Sequence, residues 1–243
     1  TLLAQNMEAF MNIFLTYSPD FKIMFITTDS PDIIGVVDLN SADPVGDSSD
    51  IIDGIGIRGS GNERGMQQLY DCVVIGGDCV SRIRENATLV AIFLSDEEDH
   101  SLLSLNSMTS VMDNLKPGTF VPYGIFGDIP SGCSGGSRMN ASPGWGYYDL
   151  VQHYASQWWS ICDQDWGAQM EEIARSVSLQ TEFRLDESDP HIDTIRVWVN
   201  GQIVTEGWEY NEENNSVLFE FDEAPQPGDS IDIGYSTWGC GEE

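Results

Sequence analysis

Apolar positions at Leu3, Met7, Phe10, Met11 and Phe14 recur every three to four residues, which predicts an amphipathic helix over 2–15 ending before Ser18-Pro19. Phe21 to Asp29, FKIMFITTD, is a short run rich in β-formers that stops at polar residues, so it predicts a buried strand. From 30 to 61, Gly, Asp, Ser and Pro surround two isoleucine-rich islands, the pattern of an irregular excursion with short edge strands. A helix is predicted over 62–72 after the turn Gly59-Ser60-Gly61. The clearest central strand is Ala87 to Leu94, ATLVAIFL, which runs into Ser95-Asp96-Glu97-Glu98-Asp99. A helix over 105–115 is broken by Lys116-Pro117-Gly118, and a strand over 119–126 ends at Gly127-Asp128. Helical patterns over 147–159 and 165–176 and a strand over 178–185 follow. Strand and helix in this alternation predict an α/β fold, doubly wound around a mainly parallel, Rossmann-like sheet.

The period changes at Asp189-Pro190. Ile195, Val197 and Val199 alternate on one face, Asn200-Gly201 is a hairpin signal, and strands are predicted over 202–210, 216–221 and 230–235. The expected organisation is an α/β domain over 1–188 and a small antiparallel β module over 189–243.

Composition narrows the function classes. With 41% hydrophobic and 10% aromatic residues, the chain can bury a core despite a formal net charge of -30 from 40 acids against 10 Lys and Arg. That charge repels nucleic acid and anionic membranes and attracts cations. It also suits solubility in a salty habitat, so it names no site by itself. No stretch of about 18 apolar residues predicts a transmembrane span. The five cysteines, Cys72, Cys79, Cys133, Cys162 and Cys240, and the scattered histidines fit no zinc spacing. Disulfides in an oxidising compartment are the better reading, Cys133 with Cys162 and Cys72 with Cys79, the latter turned back by Gly76-Gly77. Cys240 is then free or bonded outside this chain.

Ligands of open parallel sheets bind beyond the carboxyl ends of the strands. Three predicted strands end there with acids: Asp29, the run Asp96, Glu97, Glu98, Asp99, and Asp128. Hard divalent cations take such oxygens, whereas acids at strand ends also cap the helices that follow. Asp96, after the most apolar strand, is the leading metal-ligand candidate.

The residues that carry this chemistry also carry a family resemblance. LVAIFLSDEEDHS resembles the fourth strand of von Willebrand factor type A domains, whose closing Asp belongs to a metal-ion-dependent adhesion site. GSGNERGM resembles the loop that supplies that site's Thr, with Ser60 in its place. With TTD at 27–29 and a V-x-V-x-G hairpin in the tail, the order resembles bacterial secreted proteins of this fold, over roughly 1–185 and 190–236. The resemblance implies a Mg2+ or Ca2+ site at Asp96 and Ser60, with Asp29, Glu97, Asp99 and Asp128 as weaker candidates. It also implies a strand ending in D-x-S-x-S ahead of the first helix, which this sequence does not contain. The expectation is that this strand lies upstream of Thr1; contribution by another polypeptide or loss of the site are the alternatives. Without it the sheet exposes two unpaired edges and a split core.

Enzyme signatures such as G-x-S-x-G, H-E-x-x-H and a phosphate-cradling P-loop are missing from the sequence. Trp145, Tyr147, Tyr148, Tyr154, Trp158, Trp159 and Trp166 suggest a carbohydrate platform, but the helical spacing of Tyr147, Val151, Tyr154 and Trp158 favours core packing. The expected function is adhesion or assembly outside the cell, at its surface or in the periplasm, through a divalent ion shared with a protein ligand or neighbouring subunit. A structural subunit of a filament, appendage or virion that docks through its β tail is the alternative. A metal-dependent hydrolase built on Asp96 to His100 ranks below both.

Overall fold

The computed structural model describes residues 2–17, 20–56, 61–74, 76–85, 87–135, 139–163, 169, 172–174, 181–212, 214–220, 223–225 and 229–237. They fall into two compact units, Thr1–Ile13 with Pro19–Ile173, and Phe14–Ser18 with Ala174–Glu243.

The chain opens with helix α1, Leu2–Tyr17, which carries the buried Phe10, Met11 and Phe14 of the predicted stripe. Strand β1, Lys22–Phe25, pairs antiparallel with β2, Gly35–Asp38, from Lys22 opposite Asp38 to Phe25 opposite Gly35. Helix α2, Pro44–Ile55, lies within the stretch expected to be irregular. Asp43 caps it by accepting the Gly46 N–H at 3.0 Å, Pro44 occupies its first turn, and Ile52 is buried at 6% exposure. A cap and an apolar stripe thus outweigh the poor helix propensity of its Gly, Asp and Ser residues.

Helix α3, Gly65–Val73, is followed by the parallel sheet: β3, Leu89–Ser95; β4, Phe120–Phe126 after helix α4, Leu105–Leu115; and a third strand. Ser104 caps α4 by accepting the Ser107 N–H at 3.1 Å. A short hairpin, β5 Cys133–Gly135 with β6 Met139–Ala141, leads to helix α5, Tyr147–His153. The helix predicted over 147–159 stops there, because the backbone turns at Ala155 (φ +50°) and Trp158–Ser160 becomes β7. The sheet order is β3-β4-β7, all parallel. Met66, Phe93, Met108, Met112, Phe126, Tyr147 and Leu150 are buried in one core, and Trp158 stacks on Phe126 with ring centroids 5.2 Å apart. Tyr147, Tyr148, Tyr154 and Trp158 therefore serve as packing, Trp158 from a strand rather than from the helix its spacing predicted, whereas Trp145 is exposed. Trp166 and most of the helix predicted over 165–176 lie outside the described residues.

Both expected disulfides are present. Cys72–Cys79 spans 5.0 Å between Cα atoms and Cys133–Cys162 spans 6.1 Å. The first needs a glycine at 77, since a Cβ there runs into the carbonyl oxygens of Asp71 and Cys72. Cys240 lies outside the described residues.

The second unit is antiparallel. β9 Arg196–Val199 lies between β10 Gln202–Val204 and β13 Ile231–Gly234, while β12 Ser216–Phe219 lies between β11 Trp208–Asn211 and β8 Glu182–Arg184. The 178–185 signal thus becomes a strand, but paired antiparallel with β12 rather than extending the parallel sheet. Asn200 and Gly201 adopt φ +52° and +75°, the conformation of the hairpin their sequence announced. Val197, Val217 and Phe219 anchor this unit's core, with Trp208 and Tyr210 packed on it.

Candidate functional site

A helix leaves its first N–H groups without intrahelical partners, and α3 satisfies its own through distant side chains. Gly65 N–H donates to Tyr147 Oη at 3.0 Å, Met66 N–H to Asp99 Oδ1 at 3.2 Å, and Gln67 N–H to Ser101 Oγ at 2.9 Å. Ser101 Oγ in turn donates to Asp99 Oδ1 at 2.9 Å. Gly65 is what lets the phenol approach, because a Cβ there lies 2.8 Å from Tyr147 Oη. Asp99 also sits where the helix dipole favours a negative charge. Burial raises the Asp99 carboxyl above the ordinary aspartate value, against the downward pull of its hydrogen bonds. Burial likewise lifts the Tyr147 phenol well above its usual range, with the Asp99 charge adding to the effect.

The carboxylates beside this cap have different surroundings. Ser95, buried at 3% exposure, closes β3, accepts the Glu97 N–H at 3.1 Å and donates its hydroxyl to the Glu63 carboxylate. Backbone bonds draw four segments together here: Arg64 N–H to Thr28 O at 3.2 Å, His100 N–H to Glu63 O at 2.7 Å, and Ser142 N–H to Asp96 O at 2.9 Å. The Glu63 carboxyl is raised above the ordinary glutamate value, chiefly by burial. The Ser95 hydrogen bond opposes that rise, and the charges of Asp96, Glu97 and Asp29 reinforce it. These three charges are negative, which favours the protonated carboxyl.

The residues named from the sequence divide accordingly. Asp96 is exposed at the end of β3, Glu97 is half-buried with its Oε2 4.0 Å from His100 Nε2, and both act on Glu63 together with Asp29. Asp99 is the cap of α3, so its two oxygens are spent on N–H and O–H donors. Asp128 lies two residues past the end of β4; its Oδ1 is buried and has no hydrogen-bond partner among the described residues. Ser60 lies outside the described residues. Glu63 is the residue that sequence reasoning passed over. Its signal was present in GSGNERGM, but only the fold sets it against Ser95, 32 positions away.

Hard oxygen donors of this kind suit Mg2+ or Ca2+. Among the described residues, however, no group of three His, Cys, Asp or Glu side chains is arranged to hold an ion unaided.

No family model matches the chain, and no curated protein matches it. Among solved structures, "von Willebrand factor type A from Catenulispora acidiphila" is similar to it with a TM-score of 0.47 and 8% identity, over 98% of this chain and 55% of that one. The chain thus spans just over half the length of that structure.

Proposed function

We propose that this is an extracellular, surface or periplasmic binding protein whose acidic face, at the carboxyl ends of β1 and β3, takes up a divalent cation, Mg2+ or Ca2+. Asp96 is its principal described ligand and Glu63 its half-buried neighbour. A protein partner or neighbouring subunit completes the coordination with an oxygen of its own, and no reaction is assigned to the site. The observation that carries this reading is the crowding of Asp29, Asp96 and Glu97 around the half-buried Glu63, whose carboxyl they push upward. A bound dication removes that repulsion. Two disulfides support an oxidising compartment. No helix in the described residues is long and apolar enough to cross a membrane.

Calorimetric titration with CaCl2 and MgCl2 at roughly physiological ionic strength, where diffuse attraction to the acidic surface is screened, tests the reading. Saturable one-to-one uptake by the wild type, weakened about tenfold or more in Asp96→Asn, is expected, that factor being about 1.4 kcal/mol. Absence of saturable uptake, or unchanged affinity in Asp96→Asn, overturns it. Assembly through the β tail is a second reading, favoured by Ile203, 53% exposed on the outer strand β10. If Ile203→Lys abolishes self-association while cation uptake has no effect on it, assembly through the tail gains the stronger claim.

A further inference from the structure

Asp-Pro bonds occur twice in the chain, at Asp43-Pro44 and Asp189-Pro190, and the fold treats them oppositely. Asp43 has φ -140° and caps α2: its Oδ1 accepts the Gly46 N–H at 3.0 Å, and its carbonyl accepts the Asp47 N–H at 2.8 Å. Both its carboxylate and its carbonyl are engaged in starting a helix. Asp189, in contrast, has φ +56°. It is exposed, and among the described residues no hydrogen bond engages its carboxylate.

A positive φ is costly immediately ahead of a proline. A helical ψ sets the Pro190 ring against the N–H and Cβ of Asp189, and an extended ψ falls in a region that only glycine occupies readily. The fold holds the residue there from both sides. Upstream, Leu185 is buried, its N–H donates to Asn215 O at 2.8 Å, and Glu187 N–H donates to Tyr235 Oη at 2.9 Å. Downstream, Pro190 is buried and forms a β-bridge with Thr237, and His191 N–H donates to Ser236 O at 2.7 Å. Strain of this kind persists only where the surrounding structure enforces it, and here it sits on one peptide bond.

We propose that the Asp189–Pro190 peptide bond cleaves itself. An aspartyl carboxyl reaches its own carbonyl carbon through a five-membered ring, so nucleophile and electrophile are held together by the residue that carries both. A carboxyl oxygen of Asp189 bonds to the Asp189 carbonyl carbon, the bond from that carbon to the Pro190 nitrogen breaks, and the carboxyl proton passes to that nitrogen. Water then opens the cyclic anhydride. Asp189 becomes a chain end with two carboxyl groups, Pro190 becomes a chain end with a secondary amine, and the sum is hydrolysis by one water. Breaking this bond releases the strain, which the bond at Asp43 does not carry. The tail stays attached, because the cut falls between elements that remain packed. β8 pairs with β12 from Glu182 opposite Leu218 to Arg184 opposite Ser216, and Leu185 shares a core with Val197, Val217 and Phe219. The product is two chains, 1–189 and 190–243, joined through a strand ladder and a small apolar core. Nothing in this step draws on the cation face.

Intact-mass spectrometry of the folded 243-residue chain, held at about pH 5 where a share of ordinary aspartates carries a proton, tests it. Fragments 1–189 and 190–243 are expected, with masses that sum to that of the chain plus one water. They form at least about tenfold faster than the products of cleavage at Asp43–Pro44. They co-elute in gel filtration and separate only in urea. Wild type unfolded in urea loses the preference between the two bonds, since the fold no longer imposes the strain. Asp189→Gly keeps the backbone conformation without the carboxyl and stays whole at this position. Pro190→Ala keeps the carboxyl, lifts the restriction on Asp189 and slows cleavage about tenfold or more. The proposal is overturned if the folded chain stays whole at 189, if its two Asp-Pro bonds break at equal rates, or if Asp189→Gly is still cut there. A rate unchanged in Pro190→Ala overturns the role of strain, and fragments that separate without urea overturn the retained tail.

Discussion

Asp96 and Asp99 stand three positions apart in one acidic run, yet the fold gives them opposite surroundings. Asp99 meets N–H and O–H donors: Met66 N–H and the Ser101 hydroxyl and amide all converge on its oxygens. Asp96 meets other acids, and its charge is felt at Glu63 as repulsion. One carboxylate completes a helix start, and the other adds its charge to those of Glu97 and Asp29 acting on Glu63. Acids of equal appearance in sequence are therefore separated by the sign of what faces them, and only the second kind gains from a dication.

The comparison breaks first at the cap. Asp99→Ala leaves the Met66 N–H and Ser101 without their partner, so a loss of about 2 kcal/mol in urea unfolding is expected. A loss within about 0.5 kcal/mol makes Asp99 another surface acid and erases the distinction. Tyr147→Phe strips the acceptor from Gly65 N–H while keeping the ring stacked, and costs about 1 kcal/mol by the same measurement.

Glu63→Gln acts in the other direction. A carboxyl whose folded value is raised binds its proton more tightly in the folded state. Its stabilising contribution is therefore complete below the ordinary glutamate value and is lost as pH rises through the raised one. The variant, which cannot ionise, escapes that loss. It equals or trails the wild type in acid and exceeds it above the raised value, by less than the cost of Asp99→Ala. Parallel stability-against-pH profiles for the two proteins contradict this. The smallest effect belongs to Asp96→Asn: stability within about 0.5 kcal/mol of the wild type, in contrast to its loss of cation affinity. A large destabilisation instead gives Asp96 a structural role like that of Asp99.

The local signals explain what was legible beforehand. β4 and α4 begin and end close to their predicted bounds because an uninterrupted apolar run and a Ser104 cap are written in adjacent residues. The Cys72–Cys79 loop and the Asn200-Gly201 hairpin are local in the same way. Helix α2 was missed because its residues favour turns, and it is held by a cap and buried Ile52. Trp158 and Trp159 continued a helical spacing from Tyr154, but pairing with β4 draws them into β7. The site was legible as a set of acids at strand ends, not as a partition. Asp99 finds Met66 across 33 positions and Ser95 finds Glu63 across 32, relations that no window of sequence contains.

The measurement closest to the central claim is a side-chain carboxyl NMR titration of Glu63 and Asp99 with and without saturating CaCl2. Calcium is expected to lower the Glu63 titration midpoint, because the ion favours its charged form, while the Asp99 midpoint stays in place. If the Asp99 midpoint moves while that of Glu63 does not, or if calcium moves neither, the acidic face at the ends of β1 and β3 is not the cation site.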